Sequence, residues 1–299
     1  VDKHPNYFST EYGKQLAATY GAKLVYIQHH FAHFAGILSE HSLLTKPEKV
    51  LGVIWDGTGY GTDGNSWGGE FLLFEKCEFS RLTHLSYTPS ILGDKMALEP
   101  RISALAHCWP NSDAHDILKD KFSEQEWELY QKLLNNGPPL KTSSMGRLFD
   151  AVACLLGVMD IQTYEGEAAL QLETMAQTYF NQDEGVLNSD YISQISYLEE
   201  MFTSSIIAGV VRDLNNGSDK NKIAFKFHYS LVKMVEEIAI VNNIEKIAFS
   251  GGVFQNGLLV DMMMIHLEDN FQLFFHQEVS PNDENIALGQ LAYYQTIEG

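Results

Sequence analysis

Cysteine is scarce in this 299-residue chain: Cys77, Cys108 and Cys154 are all there is, scattered singly. Three such residues exclude a disulfide framework and a CxxC metal site. No apolar run approaches the roughly 18 residues that cross a bilayer, and no basic-then-apolar leader opens the chain. No membrane association is therefore expected, and a reducing, cytoplasmic setting is. Cationic residues are also few, with 20 Lys and Arg against 39 Asp and Glu and a formal charge of −19. A nucleic-acid binder sets cations against phosphates and gains from counterion release. A surface this acidic repels a polyanion, and no Lys/Arg run is longer than two, so no nucleic-acid partner is expected. Solubility alone accounts for much of the charge. Repeats and low-complexity segments are missing too. The first residue is Val1 rather than Met, so the chain is expected to be a piece of something longer.

What is present is an ordinary globular composition, 45% hydrophobic, 12% aromatic and 20% charged. At roughly 150 residues per domain the length suggests two lobes. Short β-branched runs alternate with longer helical patterns, which predicts an α/β protein with helices layered on a sheet. Strands are expected over residues 23–27, 50–55, 70–74, 81–85, 246–250 and 271–275, with a turn at Cys77. Helices are expected over 30–41, in the stretch 93–136, and over 147–156, 167–180, 198–214, 222–242, 258–268 and 285–295. The break at Gly137-Pro138-Pro139 is the expected boundary between a first lobe, 1–137, and a second, 138–299.

Six segments could carry chemistry. Gln28-His29-His30-Phe31-Ala32-His33 places three of eleven histidines in five positions. On a helix His29 and His33 stand at i and i+4, within shared reach of an ion that imidazole binds well, or they pack at a lobe junction. No HExxH glutamate accompanies them, which disfavours a zincin. Asp56-Gly57-Thr58-Gly59-Tyr60-Gly61 follows a strand. Its glycines could let backbone N–H groups cradle phosphate, its aspartate could ligate a metal, or the whole could be a hairpin turn. Ser250-Gly251-Gly252, with Asn256 one turn on, suits either a nucleotide at a helix start or close packing. Asp150, one turn into a helix opened by Ser143 and Ser144, could face ribose hydroxyls or solvent. Tyr164-Glu165-Gly166-Glu167 could be only a turn with acidic residues at a helix start, and Asp283 an N-cap or a ligand.

Taken together, Asp2-Lys3-His4-Pro5-Asn6-Tyr7, the QHHFAH segment, DGTGYG with Trp67-Gly68-Gly69-Glu70-Phe71, SSMGRLFDAVACLLG, YEGEAALQLE, SGGVFQNGLL and PNDENIALGQ occur in an order that resembles one family. It is the C-terminal domain of the hydrogenase-maturation carbamoyltransferases, HypF, similar in turn to the threonylcarbamoyl transferases that modify tRNA. The resemblance spans essentially the whole chain. Two departures stand out: Phe31 where the family often has a third histidine, and Glu284-Asn285 where it usually has two glycines.

The resemblance implies a two-lobed actin/Hsp70/sugar-kinase-like (ribonuclease H-like) fold, the first lobe lacking an N-terminal hairpin. It implies that His29, His33, Asp56 and Asp283 ligate one catalytic divalent metal, iron or alternatively zinc or magnesium. Gly57, Thr58, Gly59 and Tyr60 would hold the phosphate of bound ATP or carbamoyl-adenylate. Asp150, Gly166, Gly251, Gly252 and Asn256 would lie around ribose and adenine, with the C-terminal segment returning to the metal. The implied reaction passes a carbamoyl group from carbamoyl-adenylate, made in a neighbouring domain of the same enzyme, to the C-terminal cysteine of HypE, a precursor step to the cyanide ligands of nickel–iron hydrogenase. The chain's own Cys108 and Cys154, in apolar helical stretches, are expected in the core. Rival readings are a tRNA threonylcarbamoyl transferase, a sugar-kinase-like phosphotransferase and a non-catalytic lobe that binds nucleotide and partner.

Overall fold

The computed structural model describes residues 1–109, 112–137, 140–182, 189–192 and 203–298. In chain order the helices are α1 (Phe8–Tyr20), α2 (His29–Glu40), α3 (Lys95–Leu98), α4 (Pro100–Cys108), α5 (His115–Leu118), α6 (Glu124–Asn135), α7 (Met145–Leu155), α8 (Glu167–Gln182), α9 (Thr203–Asn215), α10 (Lys220–Val241), α11 (Gly257–Leu267) and α12 (Ile286–Glu298). The strands are β1 (Val50–Tyr60), β2 (Ser66–Glu75), β3 (Glu78–His84), β4 (Thr88–Pro89), β5 (Lys141–Thr142), β6 (Lys246–Ser250) and β7 (Gln272–Phe274). The α/β expectation holds.

Contacts divide the chain into two compact units. Unit 1 comprises Val1–His84, Ala239–Gln255 and Glu268–Gly299; unit 2 comprises Leu85–Ile238 and Asn256–Leu267. The expected boundary after residue 137 falls inside unit 2 in this partition, and its Pro138 and Pro139 lie outside the described residues.

Unit 1 is built on strands in the order β3-β2-β1-β6-β7. β1 pairs antiparallel with β2 and parallel with β6, and β6 runs parallel to β7. The hairpin from β2 to β3 turns at Lys76 and Cys77, both at positive φ, as the turn expected at Cys77 requires. Helix α2 is buried nearly all round. Phe34, Ile37 and Leu38 pack with Val50, Ile54, Leu72, Phe74 and Ala248 in one apolar cluster. A helix apolar on every side belongs between two layers, and α12 supplies the second. Gly289 of α12 sits so close to α2 that a Cβ there would lie 1.8 Å from the Ala32 carbonyl oxygen.

Two sequence expectations need correction. Residues 23–27 are not a strand: Ile27 forms a single bridge with Asp2, held by hydrogen bonds from Lys3 N–H to the Ile27 carbonyl and from Ile27 N–H to the Val1 carbonyl. Nor does β1 end at Trp55. Pairing with β2 carries it on to Tyr60 through a register shift between Trp55 and Gly59, so the glycine-rich segment is a bulged strand end of a hairpin. In unit 2 the expected helices appear within a few residues as α7, α8, α10 and α11. Of the helix expected over 198–214, the part before Thr203 lies outside the described residues. The helix over Phe8–Tyr20 was not foreseen from sequence.

Candidate metal centre

Gln28 starts α2: its side-chain oxygen accepts the Phe31 N–H at 2.9 Å, satisfying one of the free donors of the first turn. The helix then carries His29 and His33 on one face, against the end of β1. The bulge after Trp55 brings Asp56 to that face, the re-aiming that a bulge near a site provides. Asp56 Oδ1 accepts from the Gly57 N–H at 2.8 Å and the Gly252 N–H at 3.3 Å, which leaves Oδ2 facing the histidines. Asp283 arrives from the far end of the sequence, in the short turn that leads into α12. It is not an N-cap: Asn282 does that work, accepting from the Glu284 N–H.

His29 Nε2 lies 3.4 Å from both Asp56 Oδ2 and Asp283 Oδ1, and His33 Nε2 lies 3.7 Å and 3.5 Å from the same two oxygens. One ligand atom from each of the four residues falls within 4.8 Å of all the others. Both imidazole Nε2 atoms are buried and reach no hydrogen-bond partner. Buried polar atoms are nearly always satisfied, so two orphaned nitrogens facing two carboxylate oxygens fit a cation. The mixed nitrogen and oxygen donors suit a borderline divalent metal.

Burial works against a charge on His29, but Asp2, Asp283 and Asp56 outweigh it and hold its pKa well above the ordinary imidazole value. Burial likewise opposes ionisation of Asp56, yet His29 and His33 hold it well below the usual carboxylate range. The same histidines lower Asp283. Next to them, burial and the neighbouring His29 keep His30 neutral. Its Nδ1 contacts Gln28 Nε2 at 3.0 Å, so this third histidine packs and does not join the ring of donors.

Of the other sequence-chosen residues, Gly57, Thr58, Gly59 and Tyr60 are the last residues of β1, with Thr58 and Tyr60 exposed. Gly251 and Gly252 follow β6, adjoining Asp56. Gly251 has φ +105°, and a Cβ there would lie 2.1 Å from the Trp55 carbonyl oxygen, so only glycine fits. Asp150, Gly166 and Asn256 belong to unit 2. Asp150 is not solvated: it is buried on α7 with its Oδ2 2.8 Å from Arg147 Nε, and burial raises its pKa to about 6 against the pull of that guanidinium. Gly166 turns the chain into α8. Asn256 caps α11 by accepting the Leu259 N–H at 2.8 Å, and its Nδ2 donates to His228 Nε2 at 3.1 Å.

One residue that the sequence does not single out touches this cluster. His29 Nδ1 donates to Asp2 Oδ2 at 2.8 Å, both groups buried. Asp2 lay within the DKHPNY string, but no spacing rule connects it to a helix 27 positions on.

Residues 52–290 match the family described as carbamoyltransferase, Kae1-like domain, second subdomain, and residues 1–40 match the HypF Kae1-like domain. The chain belongs to the HypF carbamoyltransferase family. It is 36% identical to carbamoyltransferase HypF of Synechocystis sp. over 97% of its own length and 39% of that protein's. It is 33% identical to probable carbamoyltransferase HypF of Methanocaldococcus jannaschii, over 98% and 38%. The chain thus spans well under half of these relatives. The crystal structure of full-length HypF in a phosphate- and nucleotide-bound form superposes with TM-score 0.85 at 32% identity, over 100% of this chain and 46% of that one. HypF of T. kodakarensis gives 0.80 at 28%, over 99% and 40%.

Proposed function

We propose that this chain is the carbamoyl-transfer domain of a HypF-type enzyme, moving a carbamoyl group from carbamoyl-adenylate to the C-terminal cysteine of HypE on the way to the cyanide ligands of nickel–iron hydrogenase. The observation that carries the reading is the convergence of His29, His33, Asp56 and Asp283 on one point. Relatives named as carbamoyltransferases, and a HypF structure holding phosphate and nucleotide, support it.

In this reading the four residues hold a divalent ion, iron first, with zinc and magnesium as alternatives. When bound, such an ion supplies Lewis acidity toward a carbonyl or phosphate oxygen. The chain's own groups do the rest. His29 and His33 offer Nε2 lone pairs, and the two carboxylates balance charge. Gly57, Thr58, Gly59, Tyr60, Gly251 and Gly252 are assigned to the phosphate, and Asp150, Gly166 and Asn256 to ribose and adenine. The attacking thiolate comes from HypE. It forms a bond to the carbamoyl carbon, the carbon–oxygen bond to the adenylate phosphate breaks, and AMP leaves with the electron pair. This chain's buried thiols are poor candidates: burial pushes Cys108 up to about 12 and raises Cys154 further, while Cys77 sits in the β2–β3 turn. The carbamoyl-adenylate comes from another domain of the same enzyme, and the charge of −19 disfavours tRNA as acceptor.

The test supplies carbamoyl-adenylate and HypE to the chain and to a His29→Ala/His33→Ala double variant, reading HypE by intact mass. Transfer by the parent and none by the folded variant is expected. Equal transfer by both overturns the reading.

A further inference from the structure

His33 makes a second contact, on the side of its ring away from the carboxylates. Its Nδ1 lies 3.3 Å from Ser250 Oγ. Ser250 is the last residue of β6, and its Oγ is 2.9 Å from His276 Nε2. His276, just beyond β7, places Nδ1 2.7 Å from Glu40 Oε2 at the end of α2. All four side chains are buried or nearly so. The other Glu40 oxygen accepts the backbone N–H groups of Gln277 and Glu278, at 2.5 Å and 2.6 Å.

This chain has one consistent direction. A Glu40 carboxylate only accepts, so His276 carries its proton on Nδ1 and presents a bare Nε2. Ser250 has one hydrogen, which goes to that Nε2. Its lone pairs then accept, from Asn285 Nδ2 at 3.4 Å and from His33 Nδ1. With its hydrogen on Nδ1, the neutral His33 ring presents a bare Nε2, the form that binds a metal. The charge states agree. Burial pushes Glu40 up, but the two backbone donors and His276 outweigh it and keep it ionised. Burial outweighs the Glu40 pull on His276 and keeps that ring neutral.

We infer that Glu40, His276 and Ser250 form a positioning chain that fixes the ring tautomer of His33, as Asp2 does for His29. The inference deepens the metal reading above and rests on it for its functional meaning. Ligating histidines commonly depend on such partners for their tautomer and orientation. Here the partner is three residues deep and ties the ligand to the far end of its own helix.

Glu40→Gln is the decisive variant because it is nearly isosteric and touches neither His33 nor the four donors. A glutamine can still accept the two backbone N–H groups through its oxygen, but its amide then donates toward His276. His276 must shift its proton to Nε2, Ser250 must turn its hydrogen to His33 Nδ1, and His33 must protonate at Nε2. Long-range proton–nitrogen correlation spectra of the metal-free, nitrogen-15-histidine chain at pH 8 read the tautomers directly. The expected result is an Nδ1–H His33 in the parent and an Nε2–H His33 in Glu40→Gln. Cobalt titration followed by ligand-field absorption should show binding weaker by about tenfold to a hundredfold in Glu40→Gln and Ser250→Ala. Ser250→Thr should restore it. An unchanged His33 tautomer and unchanged cobalt affinity in folded Glu40→Gln overturn the inference. If the parent binds no cobalt, the metal reading falls while the tautomer spectra still decide the chain.

Discussion

Asp2 and His29 meet through one buried hydrogen bond, Nδ1 to Oδ2 at 2.8 Å, which commits the His29 ring to presenting Nε2 toward Asp56 and Asp283. The second residue of the chain therefore belongs to the candidate site. Asp2→Ala should weaken divalent-metal binding by about tenfold to a hundredfold. Cobalt or zinc titration against a competing chelator measures this. Circular dichroism checks that the fold survives, since the Asp2 backbone carbonyl, which holds Thr10, is kept.

A ligand that binds only the folded state raises stability by mass action, by about 2.7 kcal/mol at a hundredfold excess over Kd. A divalent ion that binds this donor set should raise the melting temperature of the parent, and chelator should reverse the rise. Asp56→Asn should melt at the same temperature with or without the ion. An equal ion-induced shift in Asp56→Asn would count against the assignment.

His228 supplies a pH test in unit 2. Its Nδ1 donates to the Ala224 carbonyl at 2.8 Å and its Nε2 accepts from Asn256, so protonation has no place to go. Burial lowers its pKa to about 4, against a weaker raising pull from the Ala224 carbonyl. The unfolded chain, near 6.5, then binds more protons than the folded chain between the two values. This contribution to stability is complete above pH 6.5 and is lost as pH falls toward 4. His228→Gln should lose about 2 kcal/mol less than the parent between pH 6.5 and 4.5. Urea midpoints at the two pH values give the comparison.

Gly251→Ala should be severe. The backbone is in the left-handed half of φ and the new methyl would meet the Trp55 carbonyl. Strain of this kind costs of order 1–3 kcal/mol before the clash is added. The same shift would draw the Gly252 N–H off Asp56, so metal binding and melting temperature should both fall.

The sequence made the local half of the site legible. His29 and His33 are one helical turn apart, and helix geometry alone puts them on a shared face. Asp56 was recognisable as a candidate on different grounds, as an aspartate that closes an apolar run and opens a glycine-rich segment. Asp283 could be read locally as an N-cap or a ligand, and only the family resemblance joined it to the histidines, because nothing local connects it to α2. What the sequence hid lies across long separations: the Asp2 contact, the Glu40–His276–Ser250 chain, and the continuation of β1 through its glycines. In that last case ladder pairing with β2 overrode the turn preference of Asp-Gly. The run at 23–27 shows the converse, a β-branched pattern that makes a single bridge, Ile27 with Asp2, and no ladder.

The clamp at Gly289, where α12 presses onto α2 beside Ala32, has a consequence for biosynthesis. Asp283 stands three residues before α12 and is held where it is by that docking. A ribosome delivers both histidines well before Asp283, with all of unit 2 made in between. Until α12 emerges and seats, the half-built centre has three donors and no fixed fourth. Ion capture at the proposed site is thereby deferred until α12 has been made and seated, and loss of that helix would leave three donors without the fourth held in place.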